Sequence, residues 1–259
     1  MSFISSLTLG HLDNRQHEAA AAAVLRVLEA HDIEVEMVAG DRDTLFSSLR
    51  DGNIDLLATA WLPDIDPMLA DPATAEILGS VLYRPYLLWA VPASLDIAGL
   101  RSIADLSKPD IASVIDHAIV LPRRLETYAI RVLAAYDLEQ AGYRLDVLDD
   151  EAAYAHASTA LDATAARVLP LWQPHALAHG GRLRPLDDPR AALPARQEAK
   201  LLLRTGLRAS LDPHLLDELG ELTLGNPVVS ALEYAMRTDG MTADEAAEAW
   251  QRGRLTPRA

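Results

Sequence analysis

Two of the four tryptophans, Trp61 and Trp172, stand two places before a proline, in AWLP (60–63) and LWQPH (171–175). With only 15 prolines in 259 residues, that repetition is not expected from composition alone. Each motif closes an apolar run, where proline fixes φ, removes an N–H and stops the strand. An indole left at such a strand end has two uses. It packs core or rim, as aromatics mostly do, or it presents a π-face to a cation that cannot donate strong hydrogen bonds, such as a methylated ammonium. Ligands of open parallel sheets bind beyond the carboxyl ends of the strands, the end at which both tryptophans stand.

The elements that must position them follow a repeated rhythm. Residues 7–10 read as a strand, 18–31 as a helix of good formers, 33–38 as an alternating strand, 42–52 as a helix closed by Gly52, and 54–60 as a buried strand. The rhythm returns as strand 118–121, helix 125–138, strand 143–148, helix 149–165 and strand 167–172. Strand–helix–strand–helix–strand implies parallel sheets with crossover helices. Each Trp-x-Pro then ends the third strand of a βαβαβ half. Residues 80–92 (SVLYRPYLLWAVP) form an apolar extended crossing, and 197–207 a return crossing. Helices follow, one beginning at a Thr242-x-x-Glu245 capping box. The expected organisation is α/β with two lobes, each a mostly parallel sheet flanked by helices. Lobe I comprises 1–88 and 205–259, lobe II comprises 89–204, and the hinges lie near 86–92 and 198–206. A ligand in the cleft between such lobes is enclosed by hinge closure.

Composition narrows the function. A net charge of −15 opposes binding to nucleic acid or anionic membranes. The absence of cysteine removes thiol chemistry and cysteine-ligated zinc. No apolar run approaches the ~18–20 residues of a membrane span. His175 and His179 are four apart, but no third metal ligand accompanies them, so no metal or other cofactor is expected. No nucleophile elbow or phosphate loop is present either, and the chain is expected not to be an enzyme. The opening MSFISSLTLG lacks the basic and long apolar stretches of a secretory signal. The expectation is therefore a cytoplasmic protein, or a periplasmic or extracellular membrane-associated one whose leader has been trimmed.

The segment GNIDLLATAWLPDIDP (52–67) resembles the first-lobe motif of the glycine betaine/choline substrate-binding proteins of ABC transporters. PLWQPHALAHGGRLRPLDDPR (170–190) resembles their second-lobe segment, and SIADL (102–106) and GMTADEAAEAW (240–250) match the pattern as well. The resemblance spans nearly the whole chain and implies the two-lobed periplasmic-binding-protein fold. It also implies that Trp61 and Trp172 are two walls of a cation cage and that His175 hydrogen-bonds a ligand carboxylate. Two stretches depart from the family. GHLDNRQH (10–17) has Asn14 about where a further aromatic is usual, leaving backbone amides near Leu12 and Asp13 to meet a polar tail. LPRRLETY (121–128) replaces a glycine-rich turn, and its Arg123 and Arg124 either favour an anionic group or lie on a solvated loop.

Other aromatics are placed to compensate: Trp89 and Tyr86 in the crossing, and less directly Tyr128. Asp64 either favours a cation or serves as a first-turn acid. The functional expectation is a binding protein for a small quaternary or methylated amine, working with an ABC transporter permease. The alternative is a cytoplasmic ligand-sensing domain of the same fold with a different small, carboxylate-bearing ligand.

Overall fold

A computed structural model describes residues 4–163 and 165–257. The chain groups into two compact units. One runs to Pro85, resumes over Pro174–Ala176 and continues from Gln197, and the other holds Tyr86–Gln173 and Leu177–Arg196. The chain therefore crosses near Pro85 and Arg196, and makes an additional three-residue excursion just after Trp172.

The first unit opens with β1 (Ser6–Leu12), α1 (Arg15–Ala30), β2 (Glu34–Gly40), α2 (Arg42–Arg50) and β3 (Leu56–Leu62), followed by β4 (Ala75–Tyr83). β1 pairs parallel with both β2 and β3, as alternation of strands and helices demands. Ala19 to Ala23 are all buried, and five successive residues at 100° intervals cover every side of a helix. Alanine makes this possible, because α1 packs closely against β1 on one side and the carboxyl-terminal helices on the other. Leu45, Leu49, Ile54, Leu57 and Leu69 fill the space between α2 and the sheet.

The second unit contains β5 (Tyr86–Pro92), α3 (Pro109–Ala112), β6 (Ala118–Pro122), α4 (Glu126–Ala135), β7 (Arg144–Leu148), α5 (Asp150–Asp162), β8 (Leu169–Gln173) and β9 (Leu183–Pro185). β6 and β7 pair parallel, while β5 is the middle of an antiparallel β8–β5–β9 ladder. Here the expected symmetry breaks. β8 finds its hydrogen-bonded partner in β5, whereas β3 pairs with β1. Pro170 cannot donate to a ladder, which disfavours β8 as a strand bonded on both sides. Ser102 caps the SIADL turn reciprocally with Asp105, whose carboxylate accepts from the Ser102 amide (2.8 Å) and hydroxyl (2.9 Å). Burial pushes that carboxyl up, but Lys108 and the amides of Arg101 and Ser102 bring it well below the usual range.

The chain returns through β10 (Glu198–Arg204) to α6 (Pro213–Glu221), α7 (Gly225–Thr238) and α8 (Ala243–Gln251), all in the first unit. β10 lies antiparallel between β3 and β4, completing the order β2-β1-β3-β10-β4. The crossing read as one extended segment is two strands broken at Arg84-Pro85, where Asn226 takes both backbone groups of Arg84 (2.9 Å each). Gly79, at φ +73, lies so close to Gly220 that a Cβ would come within 2.3 Å of its backbone. Both bonds of the Thr242–Glu245 capping box form, at 3.2 and 2.8 Å. Among the described residues, no helix is long and apolar enough to cross a membrane.

Candidate functional site

Trp61 lies near the end of β3 and is 3% exposed. The turn behind it is braced by Asp66, five residues on. The Asp66 carboxylate accepts from the Trp61 amide (2.8 Å), and the Asp66 amide donates to the Trp61 carbonyl (2.9 Å). The other carboxylate oxygen pairs with Arg42, so this buried charge is balanced. Asp64 is exposed and forms a two-point clasp with Gln197: its amide donates to Gln197 Oε1 (2.8 Å), and its carboxylate accepts from Gln197 Nε2 (3.0 Å). The Leu62–Pro63 peptide in this turn is cis.

The indole itself is fixed from two further directions. His17 stacks on it at 4.9 Å between ring centroids and 28° between planes. Tyr83 meets it edge-on, and its hydroxyl accepts the indole N–H at 3.0 Å. His17 Nδ1 bonds the hydroxyl of Thr59, a fully buried residue at φ +68. For a β-branched residue that conformation is strained. It coincides with a bulge in the β3–β10 ladder, where two residues of β3 face the single Leu201. The kink lies just before Trp61. Burial holds the Tyr83 phenol well above its ordinary value, opposed by its hydrogen bonds to Trp61 and Thr59.

Trp172 ends the second buried run and is 4% exposed. The β5–β8 register sets Leu87 opposite Trp172 and Trp89 opposite Pro170, which puts both tryptophans on one face as diagonal neighbours. Tyr128, on α4, meets Trp172 edge-on at 5.9 Å. Trp89 is fully buried, and its indole N–H has no hydrogen-bond partner. Trp89, expected as a compensating wall, is thus a buried diagonal neighbour of Trp172 in the ladder.

The turn after Trp172 is held by groups remote in sequence. Gln16 donates to the Pro174 carbonyl. The His175 amide donates to Ser230 Oγ (3.0 Å) and the Ala176 amide to Glu233 Oε2 (2.8 Å). Glu233, 2% exposed, also accepts from Arg237 Nε at 2.9 Å. Burial pushes the Glu233 carboxyl up, but the charges of His175 and Arg237 with these hydrogen bonds hold it below its usual range. His175 itself is half-buried.

The remaining expected residues are placed as follows. Asn14 caps α1, its side chain accepting from the His17 amide (3.1 Å), so its role in the fold is local. The Asp13 amide, expected to meet a ligand, donates to the Gly40 carbonyl (3.0 Å). Leu12 is buried opposite Gly40 at the end of the β1–β2 ladder. Tyr86 has one ring face covered by Arg196, 4.4 Å from its centroid. Arg123 is 80% exposed and Arg124 pairs with Asp150 at 2.9 Å, which is the solvated-loop reading of that pair. No group of three metal-ligating side chains occurs among the described residues.

Sequence reading passed over His17, Asp66, Tyr83, Gln197 and Glu233. Only Asp66 left a local signal, as an acid five residues beyond a strand-ending tryptophan.

The fold is matched by solved structures at low identity. Lactococcal OpuAC, closed with glycine betaine bound, superposes with a TM-score of 0.75 at 18% identity, covering 96% of each chain. An ABC-transporter choline-binding protein in complex with choline gives 0.70 at 16%, covering 96% of this chain and 88% of the other. The glycine betaine/L-proline-binding protein ProX from Borrelia burgdorferi gives 0.69 at 18%, covering 95% and 92%. These likenesses establish the two-lobed periplasmic-binding-protein fold. No curated protein matches by sequence. Residues 5–252 match the family model described as the substrate binding domain of ABC-type glycine betaine transport systems, and the chain belongs to that family.

Proposed function

We propose that this substrate-binding protein takes a small methylated ammonium compound, glycine betaine or choline, and delivers it to a transporter permease outside the cytoplasmic membrane. Trp61 from the first unit and Trp172 from the second supply the aromatic faces, and His175 meets the polar end of the ligand. A quaternary ammonium offers no strong hydrogen-bond donor, so its recognition rests on ring quadrupoles and apolar contact. The observation that carries the reading is the Trp61 brace. Backbone, indole N–H and one ring face are each fixed, so the orientation of the indole is set before a ligand arrives. Such preorganisation lowers the ordering cost of binding.

The test is titration with glycine betaine, choline, carnitine and proline betaine, followed by tryptophan fluorescence and calorimetry. Saturable binding of at least one, abolished in Trp61→Ala and Trp172→Ala, is expected. Silence towards all four overturns the proposal.

A further inference from the structure

The first unit contains a buried carboxylate that holds the turn carrying His175. Glu233 lies on α7, one turn beyond Ser230 and one turn before Arg237, so all three share a helix face. Ser230 holds the His175 amide, and Glu233 Oε2 holds the next amide, at 2.8 Å. Arg237 satisfies Oε1, and Gln16 fixes Pro174 from α1. A turn needs no ionised group to secure one amide, since a serine does it next door. A carboxylate at that place adds a charge.

We propose that Glu233 is a positioning residue for ligand recognition, which fixes the 174–176 turn and so sets where His175 meets a ligand carboxylate. The inference rests on His175 meeting the polar end of the ligand, as proposed above. Charge on His175 favours the ionised form of Glu233, so the two groups belong to one cluster. Arg237 on α7 neutralises part of the Glu233 charge, and Tyr83 on β4, which stays a neutral phenol, lies within its field. Gln16, the side chain from α1 on this turn, is uncharged. A residue placed to meet a carboxylate distinguishes glycine betaine, which ends in one, from choline, which ends in a hydroxyl.

The experiment compares the two ligands by calorimetry in the wild-type chain, Glu233→Gln, His175→Gln and the double variant. Glu233→Gln should weaken glycine betaine about tenfold, as the loss of a hydrogen bond to a charged group does, and leave choline within about twofold. His175→Gln should do the same, and the double variant no more than either single one. Equal loss of both ligands would reduce Glu233 to a structural brace and overturn the inference. So would an unchanged glycine betaine affinity, or additive losses in the double variant. A wild-type chain that binds neither ligand instead removes the ligand reading on which this one stands.

Discussion

The two Trp-x-Pro turns share their wording and differ in what holds them. After Trp61, the brace lies within the motif: Asp66 joins the Trp61 backbone through two hydrogen bonds within five residues. After Trp172, the bracing groups lie on α1 and α7, with Gln16 158 residues from Pro174 and Glu233 57 residues from Ala176. The rings differ as well. Trp61 is stacked by His17 and edged by Tyr83, whereas Trp172 is edged by Tyr128 and neighboured by Trp89 on one face of a ladder. A local brace forms as soon as its own turn forms. A remote one exists only after α1 and α7 have packed, so the two motifs can be weakened separately.

The largest effect should come from the rings. Trp61→Ala removes a buried indole together with its stacking and edge partners and should cost about 3–5 kcal/mol in urea unfolding. A loss under about 1 kcal/mol would mean that His17 and Tyr83 do not hold the ring. Next is the local brace. Asp66→Ala leaves the Trp61 amide and Arg42 without their shared acceptor and should cost about 1–3 kcal/mol. Combined with Gln16→Ala, which removes one neutral bond worth about 1 kcal/mol, the losses should add if the two turns are independent. A coupling well above ~0.5 kcal/mol would erase the distinction between local and remote bracing.

The smallest expected effect is one of pH. Folding lowers the Glu233 carboxyl, so the unfolded chain binds its proton more readily and stability rises with pH across that window. The contribution is present above the ordinary carboxyl value of 4.5 and is lost as pH falls through the lower folded value. Glu233→Gln should therefore flatten the acid limb of the stability curve, and an unchanged limb would show that the lowered carboxyl does not contribute.

Much of this is legible in the sequence. The Trp-x-Pro pair, the 3.6 and 2.0 periodicities and the Thr242–Glu245 box are local signals, and the structure carries each. Asn14 shows a role that comparison with a family does not supply. Compared with a family pattern it looked like a missing aromatic, yet in the fold it is the cap of α1. The aromatic that stacks on Trp61 is His17, one helical turn further along. Trp89 has the right type for a cage and is itself fully buried, on a strand whose wholly apolar run gives alternation nothing to orient. The partner of β8 was misread for a related reason: strand order is decided by which backbones meet, and periodicity is silent on that.

The sequence alone determined the alternation of strands and helices, the two proline-terminated indoles, the absence of thiol chemistry and the acidic charge that disfavours nucleic acid. These depend on residue type and short-range spacing, which the chain carries wherever it folds. Only the tertiary structure decided that His17 and Tyr83 fix Trp61, that β5 pairs with β8, and that Gln16, Ser230 and Glu233 hold the turn at His175. Such contacts join segments from 22 to 158 residues apart, and no local propensity selects one partner over another across that distance. Packing α1 and α7 against a common sheet brings those partners within reach.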